Sequence, residues 1–157
     1  MELLYALLYL ALLGVLAQPV GQALPRRWFD PERPPYRLCG WERGGAVYDA
    51  VKIKAWKDRV PDMSKLLRHM VKKEIPRRST AADVRAVLLE TCVAECVHWA
   101  LIVLSLGVLG IWRSPWCILL YLVYNILGNL PFILIQRYNR PRLLALYRKM
   151  KQREERL

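Results

Sequence analysis

The sequence predicts an all-α integral membrane protein: three transmembrane helices with a basic cytoplasmic loop containing a short amphipathic helix. Two observations carry that expectation. First, 55% of the 157 residues are hydrophobic, yet 25 Lys and Arg against 13 Asp and Glu leave a formal charge of +12, and the two populations are segregated. Residues 1–24 hold one charge, Glu2, and residues 99–135 hold one, Arg113, whereas fifteen basic residues fall at 26–78 and seven at 137–153. Second, three apolar stretches approach or exceed ~20 residues, enough to span a hydrocarbon core of about 30 Å. Blocks of oil alternating with blocks of cation fit a bilayer with the basic surfaces on one side. Nucleic-acid binding is the other common reading of a pI near 9.9, and the apolar blocks argue against it. The length fits a single membrane domain, 1–157.

The first span is residues 3–24. It lacks the basic n-region of a secretory signal, opening Met-Glu-Leu-Leu, and reads as a retained anchor with its N-terminus outside. Pro25, Pro31, Pro34 and Pro35 then punctuate a stiff connector, and Arg43-Gly44-Gly45 marks a turn. At residues 64–75, Leu66, Leu67, Met70 and Val71 share one helical face while Lys65, Arg68, Lys72 and Lys73 hold the other. A helix of that kind lies in the headgroup plane or covers the protein as a solvated loop helix. Thr80-Ala81-Ala82-Asp83 has the form of a capping box and starts a helix near Ala81. Nothing in its sequence breaks that helix before about Trp112, a length of about 48 Å at 1.5 Å per residue. It exceeds the hydrocarbon thickness, so the second span takes residues 86–112 and its first turns project into the interface. The third span, residues 116–135, follows Pro115 and is interrupted by Asn125, Gly128, Asn129 and Pro131. The basic loop 25–83 and the tail 136–157 both belong in the cytoplasm, with Arg113-Ser114-Pro115 as the outside loop. The four cysteines form no CxxC pair, so neither a zinc ribbon nor a redox motif is indicated.

Chemistry is expected where ionisable groups enter the oil, because such groups face a protein interior or a wet cavity and serve a purpose. Glu90, Thr91, Glu95 and His98 do so. At 100° per residue Thr91, Glu95 and His98 share an arc of roughly 60°, with Glu90 on its flank. On the third span, Asn125, Asn129, Gln136 and Arg140 make a second stripe if the helix continues past Pro131. The two helices run in opposite directions, so the stripes can face each other below the cytoplasmic surface. Glu95 and His98 stand three positions apart, where side chains meet. A carboxylate that orients an imidazole makes a general base, one able to take the proton of an alcohol attacking an acyl carbonyl. Asn129 or an arginine would then steady the oxyanion. The run Gln136-Arg137-Tyr138-Asn139-Arg140-Pro141-Arg142 doubles as a positive-inside anchor and as a set of guanidinium forks suited to phosphate, such as those of a CoA thioester. Trp56 and Lys57 offer an interfacial aromatic and a further cation. Two other readings stand beside this one. Glu-x-x-His also occurs in di-iron bundles, but those need a second such motif, which the chain lacks. Alternatively, the polar groups only pack helices, as in a non-catalytic lipid-binding or scaffolding protein.

At these motifs the chain resembles the glycosyl-4,4'-diaponeurosporenoate acyltransferase family of small bacterial membrane proteins. Three segments carry the likeness: Trp56-Lys57 with Asp62 following, Glu90-Thr91-x-x-Ala94-Glu95-x-x-His98-Trp99, and Asn129-Leu130-Pro131-x-Ile133-x-Ile135-Gln136-Arg137-Tyr138-Asn139-Arg140-Pro141-Arg142-Leu143. The resemblance implies transfer of a fatty acyl group onto a sugar hydroxyl of a glycosylated C30 carotenoid. Carried onto this chain, it makes Glu90, Thr91, Glu95, His98 and Trp99 the catalytic strip, and Arg137, Asn139, Arg140 and Arg142 the donor-binding residues. The motif is not the His-x-x-x-x-Asp of glycerolipid acyltransferases, since here the acid precedes the base by three residues. The expectation is therefore a multi-pass protein of a bacterial cell membrane, with its C-terminus cytoplasmic. It would use acyl-CoA as co-substrate, no metal or other cofactor, and a glycolipid or carotenoid acceptor. Three helices are thin shelter for a long lipid, which leaves room for a homo-oligomer.

Overall fold

The computed structural model describes residues 1–57 and 80–156, and the described residues contain helices, turns and loops but no strand. The helices are α1 (Glu2–Ala23), α2 (Val47–Ala50), α3 (Ile53–Trp56), α4 (Ala81–Ser105), α5 (Val108–Ile111), α6 (Pro115–Gly128) and α7 (Leu130–Glu154). The amphipathic helix expected at residues 64–75 and the Asp62 of the family likeness lie outside the described residues. Three helical stretches are long and apolar enough to cross a membrane, as expected: Glu2–Ala23, Ala81–Ile111 and Pro115–Glu154. The chain divides into two compact units, one of Met1–Pro25 with Val93–Ile133, the other of Arg26–Cys92 with Leu134–Leu157.

In the first unit, Ala6 and Leu10 of α1 close on Val108 and Cys117, with Tyr9, Leu120 and Tyr124 packed around them. Gly21 lets α1 approach α4, because a Cβ there would stand 3.2 Å from a Val97 methyl. Outside this core, Leu4, Leu8 and Leu12 on α1 and Leu119, Leu122 and Ile126 on α6 are exposed. Apolar surface of this extent on a helix bundle is what lipid covers. The second long helix is not continuous to Trp112. A turn at Leu106–Gly107 separates α4 from α5, and the amides of Leu106 and Gly107 reach back only three residues, to Val103 and Leu104. The cause lies on another helix. Tyr9 donates its hydroxyl to the Leu104 carbonyl at 2.7 Å, and its Oη sits 2.5 Å from where a Cβ on residue 107 would be. Ser105 also turns its hydroxyl back onto the Ile102 carbonyl at 2.9 Å, a bond that bends helices.

Helix α6 starts as the sequence indicates: Pro115 occupies the first turn, and Ser114 Oγ accepts from the Trp116 amide at 3.4 Å. It passes into α7 at Asn129, a kink that Pro131 explains by lacking an N–H and crowding the preceding turn. The ladder survives, because Asn129 donates to Asn125 and Ile133 to Asn129. The helix then does not end near residue 135. It continues through Pro141 to Glu154.

In the second unit, the Thr80–Asp83 capping box forms as expected. The Thr80 amide donates to Asp83 Oδ2 at 2.8 Å and the Asp83 amide to Thr80 Oγ1 at 3.3 Å. Tyr48, Ile53 and Tyr138 form a small core, with Val47, Trp56, Leu134 and Ile135 packed against it. The turn at residues 43–45 is also present. Arg43, Gly44 and Gly45 all take positive φ, and at +98° Gly45 needs the freedom of glycine.

Candidate functional site

Each unit gathers one polar cluster. In the first unit, His98 on α4 meets the α6–α7 kink. Its Nδ1 lies 2.9 Å from Asn129 Oδ1, and its ring stacks on Phe132, centroids 4.6 Å apart and planes 8° from parallel. Asn129 Nδ2 donates to Asn125 Oδ1 at 3.0 Å. Asn125 Nδ2 in turn donates to the Tyr121 carbonyl at 2.9 Å and to Ser105 Oγ at 3.1 Å. Ser105, Asn125 and Asn129 are buried, which buried amides tolerate only when satisfied. Glu95, three residues before His98 on the same helix, is buried as well, at 1% exposure. Trp99 is half-exposed on the apolar flank.

The kink matters for this arrangement. Pro131 bends the helix where Asn129 must reach sideways, and Asn129 tolerates the departure from ideal helix (φ −119°, ψ −50°) because its amide still bonds Asn125. Thus the expected meeting of the α4 stripe with Asn125 and Asn129 occurs in this unit.

In the second unit the same two stripes meet again, through Thr91 and Arg140. Arg140 Nε donates to Thr91 Oγ1 at 3.1 Å, Nη2 to the Thr91 carbonyl at 3.0 Å and Nη1 to the Tyr36 carbonyl at 2.7 Å. Its guanidinium also lies 5.5 Å from the centre of the Tyr36 ring. Only 2% of Arg140 is exposed, so a large cation is buried against carbonyl oxygens and an aromatic face. Gln136 is buried and Asn139 half-buried on the same helix.

Glu90 is held by Arg26 through both oxygens, at 2.8 and 3.0 Å. Arg137, offered by the sequence as a phosphate fork, grips Glu42 instead: Nε to Oε1 at 2.8 Å and Nη2 to Oε2 at 2.6 Å. Glu42 is fully buried and also receives the Cys39 amide at 2.6 Å and the Tyr48 hydroxyl. Burial pushes the Glu42 carboxyl up. The hydrogen bonds from Arg137, Tyr48 and Cys39, with the charge on Arg137, outweigh it and hold the group below the ordinary carboxylate range. Burial and the adjacent Glu42 push the Tyr48 hydroxyl well above its usual value. Arg142 is exposed, lying over the Tyr138 ring 3.6 Å from its centre and donating to the Tyr138 carbonyl. Trp56 donates its indole N–H to the Val51 carbonyl at 3.0 Å, and Lys57 follows it, half-buried.

Sequence reasoning missed Glu42, Tyr48, Arg26, Tyr36, Ser105 and Phe132. One signal was available for Glu42. It is one of four acids among the eight basic residues of positions 26–57, and it directly precedes a turn of three positive-φ residues that aims it inward. Among the described residues no cluster of three His, Cys, Asp or Glu could hold a metal ion.

Residues 25–149 match the family model described as glycosyl-4,4'-diaponeurosporenoate acyltransferase. A glycosyl-4,4'-diaponeurosporenoate acyltransferase of Staphylococcus aureus strain MRSA252 is 28% identical over 87% of this chain and 82% of its own length. One from Staphylococcus haemolyticus is 30% identical over 77% of this chain and 70% of its own. No solved structure matches. The matched span includes both polar clusters.

Proposed function

The chain belongs to the glycosyl-4,4'-diaponeurosporenoate acyltransferase family, and from that premise we propose that it moves a fatty acyl group from an activated thioester, acyl-CoA in the first instance, onto a sugar hydroxyl of a glycosylated carotenoid or similar lipid. It is an acyltransferase by family. The single observation that carries the mechanism is the seating of His98. An imidazole within a helix apolar enough to cross a membrane is oriented by Asn129 at 2.9 Å and by the Phe132 ring, an investment in geometry that a packing residue does not need.

In this reading Nε2 of His98 removes the proton of the acceptor hydroxyl as its oxygen attacks the thioester carbonyl. The tetrahedral intermediate collapses, the C–S bond breaks, the ester C–O bond remains, and the thiolate takes the proton from the imidazolium. Glu95 supports the positive imidazolium from one turn before. Among the basic residues of the 136–142 run, Arg142 is the exposed one and is assigned the donor's phosphates together with Lys57. Arg137 and Arg140 hold the loop and helix that carry it. Thr91 and Glu90 serve that scaffold, as ligands of Arg140 and Arg26. The N-terminus lies outside a bacterial membrane and the basic surfaces face the cytoplasm, where acyl-CoA is made. The acceptor's chain lies against the apolar helices.

The test is acyl transfer by membranes containing the His98→Ala chain, supplied with acyl-CoA and a glycosylated carotenoid and read by mass spectrometry of the ester. Loss of ester by a factor of about 100 or more, the scale of a general base, is expected with expression unchanged. Full activity would sink the mechanism.

A further inference from the structure

The side chains behind His98 have a direction. Ser105 gives its hydroxyl hydrogen to the Ile102 carbonyl at 2.9 Å, the far shorter of its two acceptors, since Asn125 Oδ1 stands at 3.5 Å, and its oxygen accepts from Asn125 Nδ2. The two amide hydrogens of Asn125 go to Ser105 Oγ and the Tyr121 carbonyl. Asn125 therefore turns Oδ1 toward Asn129, whose Nδ2 donates to it at 3.0 Å. With its amide so oriented, Asn129 presents Oδ1 to His98 Nδ1 at 2.9 Å. A carbonyl oxygen can only accept, so Nδ1 carries the hydrogen and Nε2 carries the lone pair. Each amide orientation is assigned from the bond behind it, and the sequence ends on a backbone carbonyl, which cannot flip. Ser105, Asn125 and Asn129 are 0%, 5% and 1% exposed, so water does not compete for these bonds.

We propose that Ser105, Asn125 and Asn129 are a tautomer-setting relay: positioning residues that hold the His98 proton on Nδ1 and thereby make Nε2 the nitrogen that meets the acceptor hydroxyl. This rests on His98 being the general base. It also moves Asn129 away from the oxyanion role its sequence position suggests, because its Nδ2 is directed at Asn125. The relay explains why two asparagines stand four residues apart in an otherwise apolar helix end. A base held in the wrong tautomer keeps its place in the structure and loses its function.

The experiment uses the full chain in detergent micelles, labelled with ¹⁵N-histidine. The only other histidine, His69, is replaced (His69→Gln) so that a single imidazole is seen. Protonated and unprotonated ring nitrogens differ widely in ¹⁵N shift, and couplings to the two ring carbon-bound hydrogens assign them. At about pH 8.5, well above the ordinary imidazole range, His98 should be Nδ1–H, the tautomer that free histidine disfavours. Asn125→Leu, which leaves Asn129 unoriented, should return the ring toward Nε2–H. It should lower kcat on the order of tenfold to a hundredfold with KM for the acceptor little changed. Asn129→Asp, which keeps an acceptor against Nδ1, should retain the Nδ1–H signature and guards against an Asn125→Leu chain that fails to fold. A parent ring that is mainly Nε2–H, or an Asn125→Leu chain with the parent's tautomer and turnover, overturns the relay. A chain with Nδ1–H at His98 whose His98→Ala variant still transfers acyl groups overturns the base assignment, and the catalytic purpose of the relay with it, while the tautomer itself stands.

Discussion

Replacing Arg137 with methionine would strand the Glu42 carboxylate inside the second unit. Glu42 is 0% exposed and the Arg137 side chain 12%, so neither charge is repaid by water. Glu42 receives four donors, two of them from Arg137 at 2.8 and 2.6 Å. After the substitution the Cys39 amide and the Tyr48 hydroxyl remain, so the carboxylate is half-satisfied rather than bare. The cost should therefore fall at the lower end of the range for breaking a buried pair, about 3 kcal/mol. At ~2–4 °C per kcal/mol for a chain of this size, the melting temperature drops by roughly 6–12 °C. The discriminating measurement is a double-mutant cycle followed by tryptophan fluorescence during thermal melts in detergent. Arg137→Met with Glu42→Leu removes both charges and the desolvation they impose, and it should be more stable than Arg137→Met alone. The coupling should be at least ~1.5 kcal/mol. Additive losses, or a double variant worse than either single one, would refute the claim that a buried ion pair holds the 25–57 segment to α7.

The same pair sets a pH window. The Glu42 carboxyl is depressed in the folded chain, so its contribution is present above the unfolded carboxylate value of about 4.3 and disappears as pH falls through the folded one. The Tm gap between the parent and Glu42→Gln should shrink below about pH 4. The raised Tyr48 hydroxyl acts with the opposite sign, and the gap to Tyr48→Phe should shrink above about pH 10. Gly107→Ala places a Cβ 2.5 Å from Tyr9 Oη and should cost about 1–3 kcal/mol. That loss should be smaller in a Tyr9→Phe background, and equal losses in both backgrounds would contradict the packing argument. Arg142→Gln should raise KM for acyl-CoA about tenfold while kcat holds, the scale of one charged hydrogen bond. An unchanged KM would remove Arg142 from the donor site.

The sequence exposed whatever depended on neighbours in the chain. The apolar blocks, the Thr80–Asp83 box, the Arg43–Gly45 turn and the start of α6 at Pro115 are all local, and all are present. Angular arithmetic also anticipated that the Thr91–Glu95–His98 stripe would face the Asn125–Asn129–Gln136–Arg140 stripe, while the pairs themselves, His98 with Asn129 and Thr91 with Arg140, came from the structure. A helix fixes the face of each residue, and buried polar faces must find each other. What stayed hidden depended on distant residues. Glu42 is 95 positions from Arg137, in a stretch without periodicity, so nothing local marks it as the partner. The break at Gly107 needs the Tyr9 hydroxyl from another helix. The extension of α7 through Pro141 defeats a local rule about proline, because one lost amide is small beside the side-chain contacts on both sides of it.

Glu42, Glu95 and Arg140 are buried and Glu90 and His98 half-buried, and burial alone does not say which of them does chemistry. The kind of partner does. Glu90 faces a guanidinium, Glu42 a guanidinium with two further donors, and Arg140 three oxygens. For Glu42 those partners hold the carboxyl below the ordinary carboxylate range, which makes it poor at moving protons. The Asn129 carbonyl holds His98 differently, because Nδ1 bears a hydrogen in the neutral imidazole and in the imidazolium, and the 2.9 Å bond survives both. A general base must pass through both states within each turnover without losing its place. The His98–Asn129 contact is of a kind that a change of protonation leaves in place, which is what the proposed base role asks of it.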